Sequence, residues 1–79
     1  MIVEIITPSK AIFSGNASLI HFPGMDGSFT ILENHAPLVA ALKKGKVKVI
    51  SEGETRYFEI DGGVVEVLEN KVEVLMRGS

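Results

Sequence analysis

Residues 46–75 read KVKVISEGETRYFEIDGGVVEVLENKVEVL, a run in which apolar and polar side chains alternate. Val47 and Val49 alternate with Lys46 and Lys48, and Val72 and Val74 flank a glutamate. Successive side chains of a β-strand point to opposite faces, so this alternation is typical of strands with one buried face. The stretch predicts a half-buried antiparallel meander.

Three breaks in this stretch have the composition of tight turns. They are Glu52-Gly53, Asp61-Gly62-Gly63 and Glu69-Asn70. Each offers a residue that tolerates a positive φ angle, which two-residue hairpin loops require. Each is therefore predicted to close a hairpin.

The rest of the chain shows the same pattern of short apolar or β-branched runs between Gly, Pro, Asn and Asp. We predict nine strands, at residues 3–7, 11–13, 17–22, 28–32, 38–42, 46–51, 55–60, 64–68 and 71–75. Residues 37–44 are the one candidate helix, but the segment is too short for its period to decide, and a strand is favoured. So many short strands need two stacked sheets or a closed barrel to hide an apolar face. The sequence predicts an all-β fold, an antiparallel sandwich, in one domain covering residues 1–79.

Composition narrows the function classes. The chain has eight basic and ten acidic residues among 79, and no cysteine. A concentrated basic face is missing, which argues against nucleic acid binding, and the lack of cysteine excludes disulfides and thiolate zinc sites. The first residues carry neither a basic signal region nor a long apolar run, so we expect no membrane insertion.

Residues that could carry catalysis are few. His21 and His35, completed by Asp26 or Glu33, would be the one candidate metal site, as in a small metal-binding or ligand-binding β-module. Gly24 and Gly27 do not make a phosphate loop, because no Lys-Ser/Thr pair or helix start follows them. We expect no catalytic residue, no metal and no cofactor.

A second alternative is a lipoyl or biotinyl carrier domain, since these are also all-β units of this size with a modified lysine at a hairpin tip. Lys71 follows the Glu69-Asn70 turn. It lies near the end of the chain, however, without the usual flanking residues.

A series of blocks resembles the ε subunit of F-type ATP synthases, in the order and at the spacings of that family. These are residues 3–8 (VEIITP), 13–15 (FSG), 23–27 (PGMDG), 29–32 (FTIL), 34–38 (NHAPL), 41–45 (ALKKG), 62–67 (GGVVEV) and 72–75 (VEVL). The resemblance covers nearly the whole chain. It implies a flattened antiparallel β-sandwich of about ten short strands in two sheets, which agrees with the strand pattern.

What the resemblance implies for function is a non-catalytic rotor subunit of the central stalk. Such a subunit docks the γ subunit to the membrane c-ring of a proton- or sodium-translocating enzyme and couples ion flow to ATP synthesis. It is expected at the cytoplasmic face of the inner (plasma) membrane, peripherally, as part of the complex, with no nucleic acid or small-molecule substrate.

The resemblance also assigns two sets of contact residues. The loop facing the c-ring corresponds to Gly24, Met25, Asp26, Gly27, Ser28 and Phe29. The side facing γ corresponds to His35, Ala36, Pro37, Leu38, Ala40 and Asp61.

The chain departs from the family pattern in two places. The family commonly has an acidic residue at the position of Ser28, which is expected to meet a basic loop of the c-ring. Asp26 in the same loop could supply that charge instead. The family usually continues into two C-terminal helices that inhibit ATP hydrolysis and in some members bind ATP, whereas this sequence closes with residues 76–79 (MRGS). We therefore expect the chain as given neither to bind ATP nor to inhibit hydrolysis.

Overall fold

The computed structural model describes residues 1–77 and shows nine strands and no helix within them. The strands are β1 (Ile2–Ile6), β2 (Ala11–Asn16), β3 (Leu19–Phe22), β4 (Phe29–Leu32), β5 (Leu38–Leu42), β6 (Gly45–Ser51), β7 (Glu54–Ile60), β8 (Gly63–Leu68) and β9 (Lys71–Met76). All nine predicted strands are present, with ends that differ by up to three residues. Gly78 and Ser79, the last residues of the predicted closing segment, lie outside the described part of the chain.

The strands form two stacked sheets. The five-stranded sheet has the order β2-β1-β9-β8-β5, and the four-stranded sheet has the order β4-β3-β6-β7. The body measures 27 × 24 × 19 Å. The expected flattened β-sandwich is confirmed.

The core lies between the sheets and is built from the inward positions of the alternating strands. Val3 and Ile5 of β1 are fully buried, as are Val72 and Val74 of β9. The four-stranded sheet contributes the other wall, with these fully buried side chains: Ile20, Phe22, Ile31, Val47 and Val49. The period-2 pattern of the sequence therefore marks the buried face correctly.

One strand pair is parallel. β1 pairs with β9 in parallel, from Ile2 opposite Lys71 to Ile6 opposite Leu75, while every other pair among the described strands is antiparallel. The first and last strands thus lie side by side in the middle of the five-stranded sheet. Side-chain alternation is the same for both orientations, so the sequence pattern did not distinguish them.

The predicted meander over residues 46–75 is wrong at its centre. β6 and β7 form a hairpin in one sheet, and β8 and β9 form a hairpin in the other. Asp61-Gly62-Gly63 is therefore a crossing between sheets, not a hairpin turn. Gly62 and Gly63 have φ angles of 123° and 154°, and this freedom lets the chain leave one sheet and enter the other.

The two other predicted turns are confirmed. Glu52 and Gly53 have φ angles of 51° and 80°, and Glu69 and Asn70 have φ angles of 50° and 59°. Two consecutive positive φ angles are the signature of a type I′ turn, whose twist matches that of the flanking strands.

Candidate interaction surface

The loop from Gly24 to Phe29 is attached to the free edge of β5. The Met25 amide donates to the Ala41 carbonyl at 2.9 Å, and the Lys43 amide donates to the Pro23 carbonyl at 2.9 Å. Gly24 forms an isolated antiparallel bridge with Leu42 between these two bonds. The predicted c-ring loop is therefore an extension of the five-stranded sheet by one short segment.

The tip of this loop is a tight turn. The Gly27 amide donates to the Gly24 carbonyl at 3.1 Å, which leaves Met25 and Asp26 exposed between them. A side chain at Gly24 would meet the Gly27 carbonyl and would lie 2.8 Å from the Phe29 ring. The glycines thus have a turn role that fixes how Met25 and Asp26 are presented.

A groove of about 490 Å³ is lined by this loop and by β5. It is open to solvent and joins the predicted c-ring loop to part of the predicted γ-facing segment. Its lining residues are Gly24–Phe29 together with Leu38, Val39, Ala40 and Ala41. The fold therefore brings residues assigned to the c-ring, in the Gly24–Phe29 loop, next to two residues assigned to γ, Leu38 and Ala40.

The segment of His35, Ala36 and Pro37 is an exposed loop at the start of β5. The His35 Nδ1 atom donates to the Ala36 carbonyl at 2.7 Å. The loop is held to the β8–β9 turn, because the Asn34 amide donates to Asn70 Oδ1 at 2.7 Å. These residues lie near the β8–β9 turn, at the end of β5 away from Gly24.

Asp61 lies at the opposite end of β5 from His35. Leu42 pairs with Gly63 at that end, whereas Leu38 pairs with Val67 at the other. The four steps between Leu38 and Leu42 correspond to roughly 13 Å. The residues predicted to face γ are thus not one cluster, and Asp61 lies at the same end of β5 as the Gly24 bridge.

Alternation along β5 changes which of its residues a partner would touch. Leu38 and Ala40 are half-buried and pack against the core. Val39, between them, is 68% exposed, and it is the most exposed large apolar side chain among the described residues. Sequence reasoning missed Val39, because all five residues of β5 are apolar and alternation alone does not say which face of the strand is outward.

A wider apolar surface lies next to Val39 on the outer face of the five-stranded sheet. The register sets Ile6 opposite Leu75, Leu75 opposite Val64, and Val64 opposite Ala41. The hydrogen bond from Met25 to Ala41 continues this line into the loop. We call these five residues, Ile6, Leu75, Val64, Ala41 and Met25, the apolar row. Soluble monomers rarely expose large contiguous apolar patches, so the row is typical of a protein interaction site.

The residues of the two alternative functions do not gather into a site. The His21 Nδ1 atom lies 2.9 Å from Thr30 Oγ1 on the outer face of the four-stranded sheet, and His35 lies in the β4–β5 loop. Among residues 1–77, no group of three or more His, Asp or Glu side chains is placed to hold a metal ion. Lys71 follows the β8–β9 turn, and its Nζ atom lies 3.7 Å from Glu4 Oε1.

Within the described residues no helix is long and apolar enough to cross a membrane.

Comparison with known proteins agrees with this architecture. Two solved structures share the fold. They are a chain of the Euglena gracilis mitochondrial ATP synthase (TM-score 0.90, 22% identity, 96% of this chain and 49% of that chain) and a chain of the Tetrahymena thermophila mitochondrial ATP synthase central stalk and c-ring (TM-score 0.84, 22% identity, 99% and 63%).

Curated sequences are closer. The ATP synthase epsilon chain of Chlorobium limicola is 46% identical over 74 residues, which cover 92% of this chain and 84% of that protein. The ATP synthase epsilon chain of Pelotomaculum thermopropionicum is 41% identical over 77 residues, which cover 98% of this chain and 58% of that protein. The chain thus spans most of some relatives and little more than half of others.

A family model described as "ATP synthase, Delta/Epsilon chain, beta-sandwich domain" matches residues 1–78. On the strength of this match and of the curated relatives, the chain belongs to the Delta/Epsilon chain β-sandwich family of ATP synthases.

Proposed function

We propose that this chain is the docking body of an ATP synthase ε subunit. It is a non-catalytic rotor part that joins the γ subunit to the c-ring, at the cytoplasmic face of the membrane. Its contribution to ATP synthesis is mechanical, because it transmits rotation between two partners and does no chemistry.

The observation that carries this proposal is the continuous exposed surface along β5. The exposed Val39, the end of the apolar row at Ala41 and the groove beside Gly24–Phe29 all lie on or next to this one strand. A rotor part that holds two partners needs a rigid element between two contact regions. β5 is paired along its whole length with β8, which makes it such an element.

The two ends of β5 then take different partners. The Gly24–Phe29 loop at one end faces the c-ring through Met25 and Asp26, and the His35–Pro37 segment at the other end faces γ. Asp61 lies at the same end of β5 as the Gly24–Phe29 loop, although the family resemblance assigns it to γ. A substitution of Asp61 therefore distinguishes contact with γ from contact with the c-ring. We keep Asp61 on the γ side as predicted, and expect Asp61→Asn to weaken binding to γ without affecting binding to the c-ring.

The direct test is assembly. The purified chain is mixed with a γ-containing catalytic complex that lacks ε, and the mixture is separated by size exclusion. We expect the chain to elute with the complex at one copy per γ. Elution of the chain at its own monomer volume, with none in the complex fraction, would reject the proposal.

A pair of matched variants locates the contact. Val39→Thr keeps the shape and strand preference of the side chain and replaces a methyl group by a hydroxyl, so we expect weaker co-elution with an unchanged melting temperature. Leu32→Thr is the control, because Leu32 is a similarly exposed aliphatic residue on the other sheet. Equal loss in both variants would remove β5 from the interface.

A further inference from the structure

The outer face of the five-stranded sheet carries a line of three glutamates beside the apolar row. Glu4 of β1, Glu73 of β9 and Glu66 of β8 occupy the same level of three neighbouring strands, and Val39 of β5 continues that level. We call Glu4, Glu73 and Glu66 the glutamate row. Neighbouring strands are about 4.8 Å apart, so the three carboxylates are held close together by the backbone register.

This row is unfavourable in the isolated domain. Glu4 lies directly opposite Glu73, and Glu73 lies directly opposite Glu66. Like charges directly across a strand pair destabilise a sheet. In residues 1–77 the row has one ion pair, between Glu4 Oε1 and Lys71 Nζ at 3.7 Å, and both of those side chains are solvent-exposed enough to be screened.

Apolar side chains border the glutamate row on both sides. On one side is the apolar row. On the other side lie Ile2 and Leu68, each about half exposed, with Lys71 between them in the register. Lys71 interrupts the second of these apolar lines, and the exposed apolar side chains on both sides of the glutamate row are the part of this face that water solvates poorly.

The acidic character belongs to this face and is not an average property of the molecule. The outer face of the four-stranded sheet carries Lys46 and Lys48 on β6, with Glu59 of β7 opposite Lys46. Among the strand residues, three glutamates face one lysine, Lys71, on the outer face of the five-stranded sheet, whereas two lysines face one glutamate on the outer face of the other sheet. A partner that docks on the sandwich will distinguish the two faces.

We infer that the outer face of the five-stranded sheet binds a basic amphipathic helix of a partner protein, with one Lys or Arg per turn along the glutamate row and apolar side chains on both flanks. The inference rests on the proposed function for its partner, which is the γ side of the rotor. In this contact the helix lies across the strands, and its Lys or Arg side chains pair with Glu4, Glu73 and Glu66.

Helix geometry fits this arrangement. A helix advances 5.4 Å per turn, close to the strand spacing of about 4.8 Å, so one basic residue per turn meets one glutamate per strand. The glutamate row and Val39 together extend from β1 to β5 across three strand gaps, roughly 14 Å, which about ten helical residues cover. Val39 at its end joins this face to the β5 surface described above.

The test compares two triple variants with the same change of net charge. Glu4→Gln/Glu66→Gln/Glu73→Gln neutralises the glutamate row. Glu52→Gln/Glu54→Gln/Glu59→Gln neutralises three exposed glutamates of the β6–β7 hairpin and its flanks. Binding of each to an immobilised γ-containing catalytic complex is measured at about 20 mM and 300 mM salt, and each is melted to check folding.

We expect the row variant to bind at least tenfold more weakly than the unmodified chain at low salt, with little further salt dependence, and to melt no lower. The hairpin variant should bind as the unmodified chain does. Equal binding by the row variant overturns the inference, as does equal weakening in both variants. Concentration-dependent self-association that the row variant abolishes would also overturn it, since the occupant would then be a second copy of this chain.

Failure of the proposed function gives a different result. In that case the unmodified chain does not bind the complex at either salt concentration, and the inference falls with it. If the unmodified chain binds and the row variant binds equally well, the inference alone fails and the rotor role stands.

Discussion

Gly63 carries the passage of the chain from the four-stranded to the five-stranded sheet. Its φ angle is 154°, and a Cβ atom there would collide with the Leu75 carbonyl, which is fixed in the β8–β9 ladder. Backbone strain of this kind costs about 1–3 kcal/mol before any collision is counted. We expect Gly63→Ala to lower the free energy of unfolding by about 3 kcal/mol or more, measured by urea denaturation with circular dichroism.

Gly53 provides the control for this prediction. Its φ angle is also positive, at 80°, but a Cβ atom there meets nothing within 4 Å. Gly53→Ala should therefore lower the free energy of unfolding only by about 1 kcal/mol, the strain of one left-handed residue. If the two alanine variants were equally stable, the close approach at Gly63 would not be a constraint on the fold.

Asp26 is the single acidic side chain in the Gly24–Phe29 loop, and it is exposed at the tip of the turn. In the proposed role it meets a basic loop of the c-ring. We expect Asp26→Asn, which preserves the size of the side chain, to weaken binding to purified c-rings several-fold at low salt and hardly at all at high salt.

The matched control for this loop is Glu52→Gln, which makes the same charge change at the distant β6–β7 turn. It should leave binding unchanged at both salt concentrations. An Asp26→Asn chain that binds c-rings as the unmodified chain does, at either salt concentration, removes Asp26 from the contact.

At the level of elements, Asn70 connects two loops. It occupies the β8–β9 turn with a φ angle of 59°, and its side-chain oxygen accepts the hydrogen bond from the Asn34 amide. Asn70→Gly keeps the turn conformation but removes this bond, so we expect faster amide exchange at Asn34 and His35 with a loss of stability of about 1 kcal/mol. The measurement is amide exchange by NMR.

Asn70→Ala separates the two roles of this residue. It removes the same hydrogen bond and adds the strain of a left-handed alanine, so the loss should be about 1 kcal/mol larger than in Asn70→Gly. Unchanged exchange at Asn34 in both variants would mean that the turn does not hold the His35 loop.

The strands could be predicted from the sequence because burial on one face of a strand imposes a period of two, which is local information. Which strand lies next to which depends on contacts between distant residues. The pairing of β1 with β9 and the change of sheet at Gly62 and Gly63 are of this second kind, and the local pattern does not contain them. Turn composition at residues 61–63 indicated a sharp change of direction, but a hairpin and a crossing use the same residues.

The candidate surface was predictable to a similar degree. The loop at Gly24–Phe29 was assigned through family resemblance, and that assignment remains a prediction. Alternation places Val39 on the face opposite Leu38 and Ala40, but in an all-apolar strand the sequence does not show that this face is the outer one. The glutamate row could not be predicted, because its members are 66 and 73 along one hairpin and 4 at the other end of the chain, and only the register of three strands brings them level.

For the whole molecule, the two sheets share one core, so we expect them to unfold together. Val74 of β9 is fully buried between the sheets, and β9 lies between β1 and β8 in the five-stranded sheet. Val74→Ala should cost about 2–3 kcal/mol and reduce amide-exchange protection equally in β9 and in β6, which belongs to the other sheet. Val64→Ala, on the exposed face of β8 beside it, should cost less than about 1 kcal/mol. If β6 kept its full protection in the Val74→Ala chain, the sheets would be separate cooperative units, and the sandwich would be a poor transmitter of force between two partners.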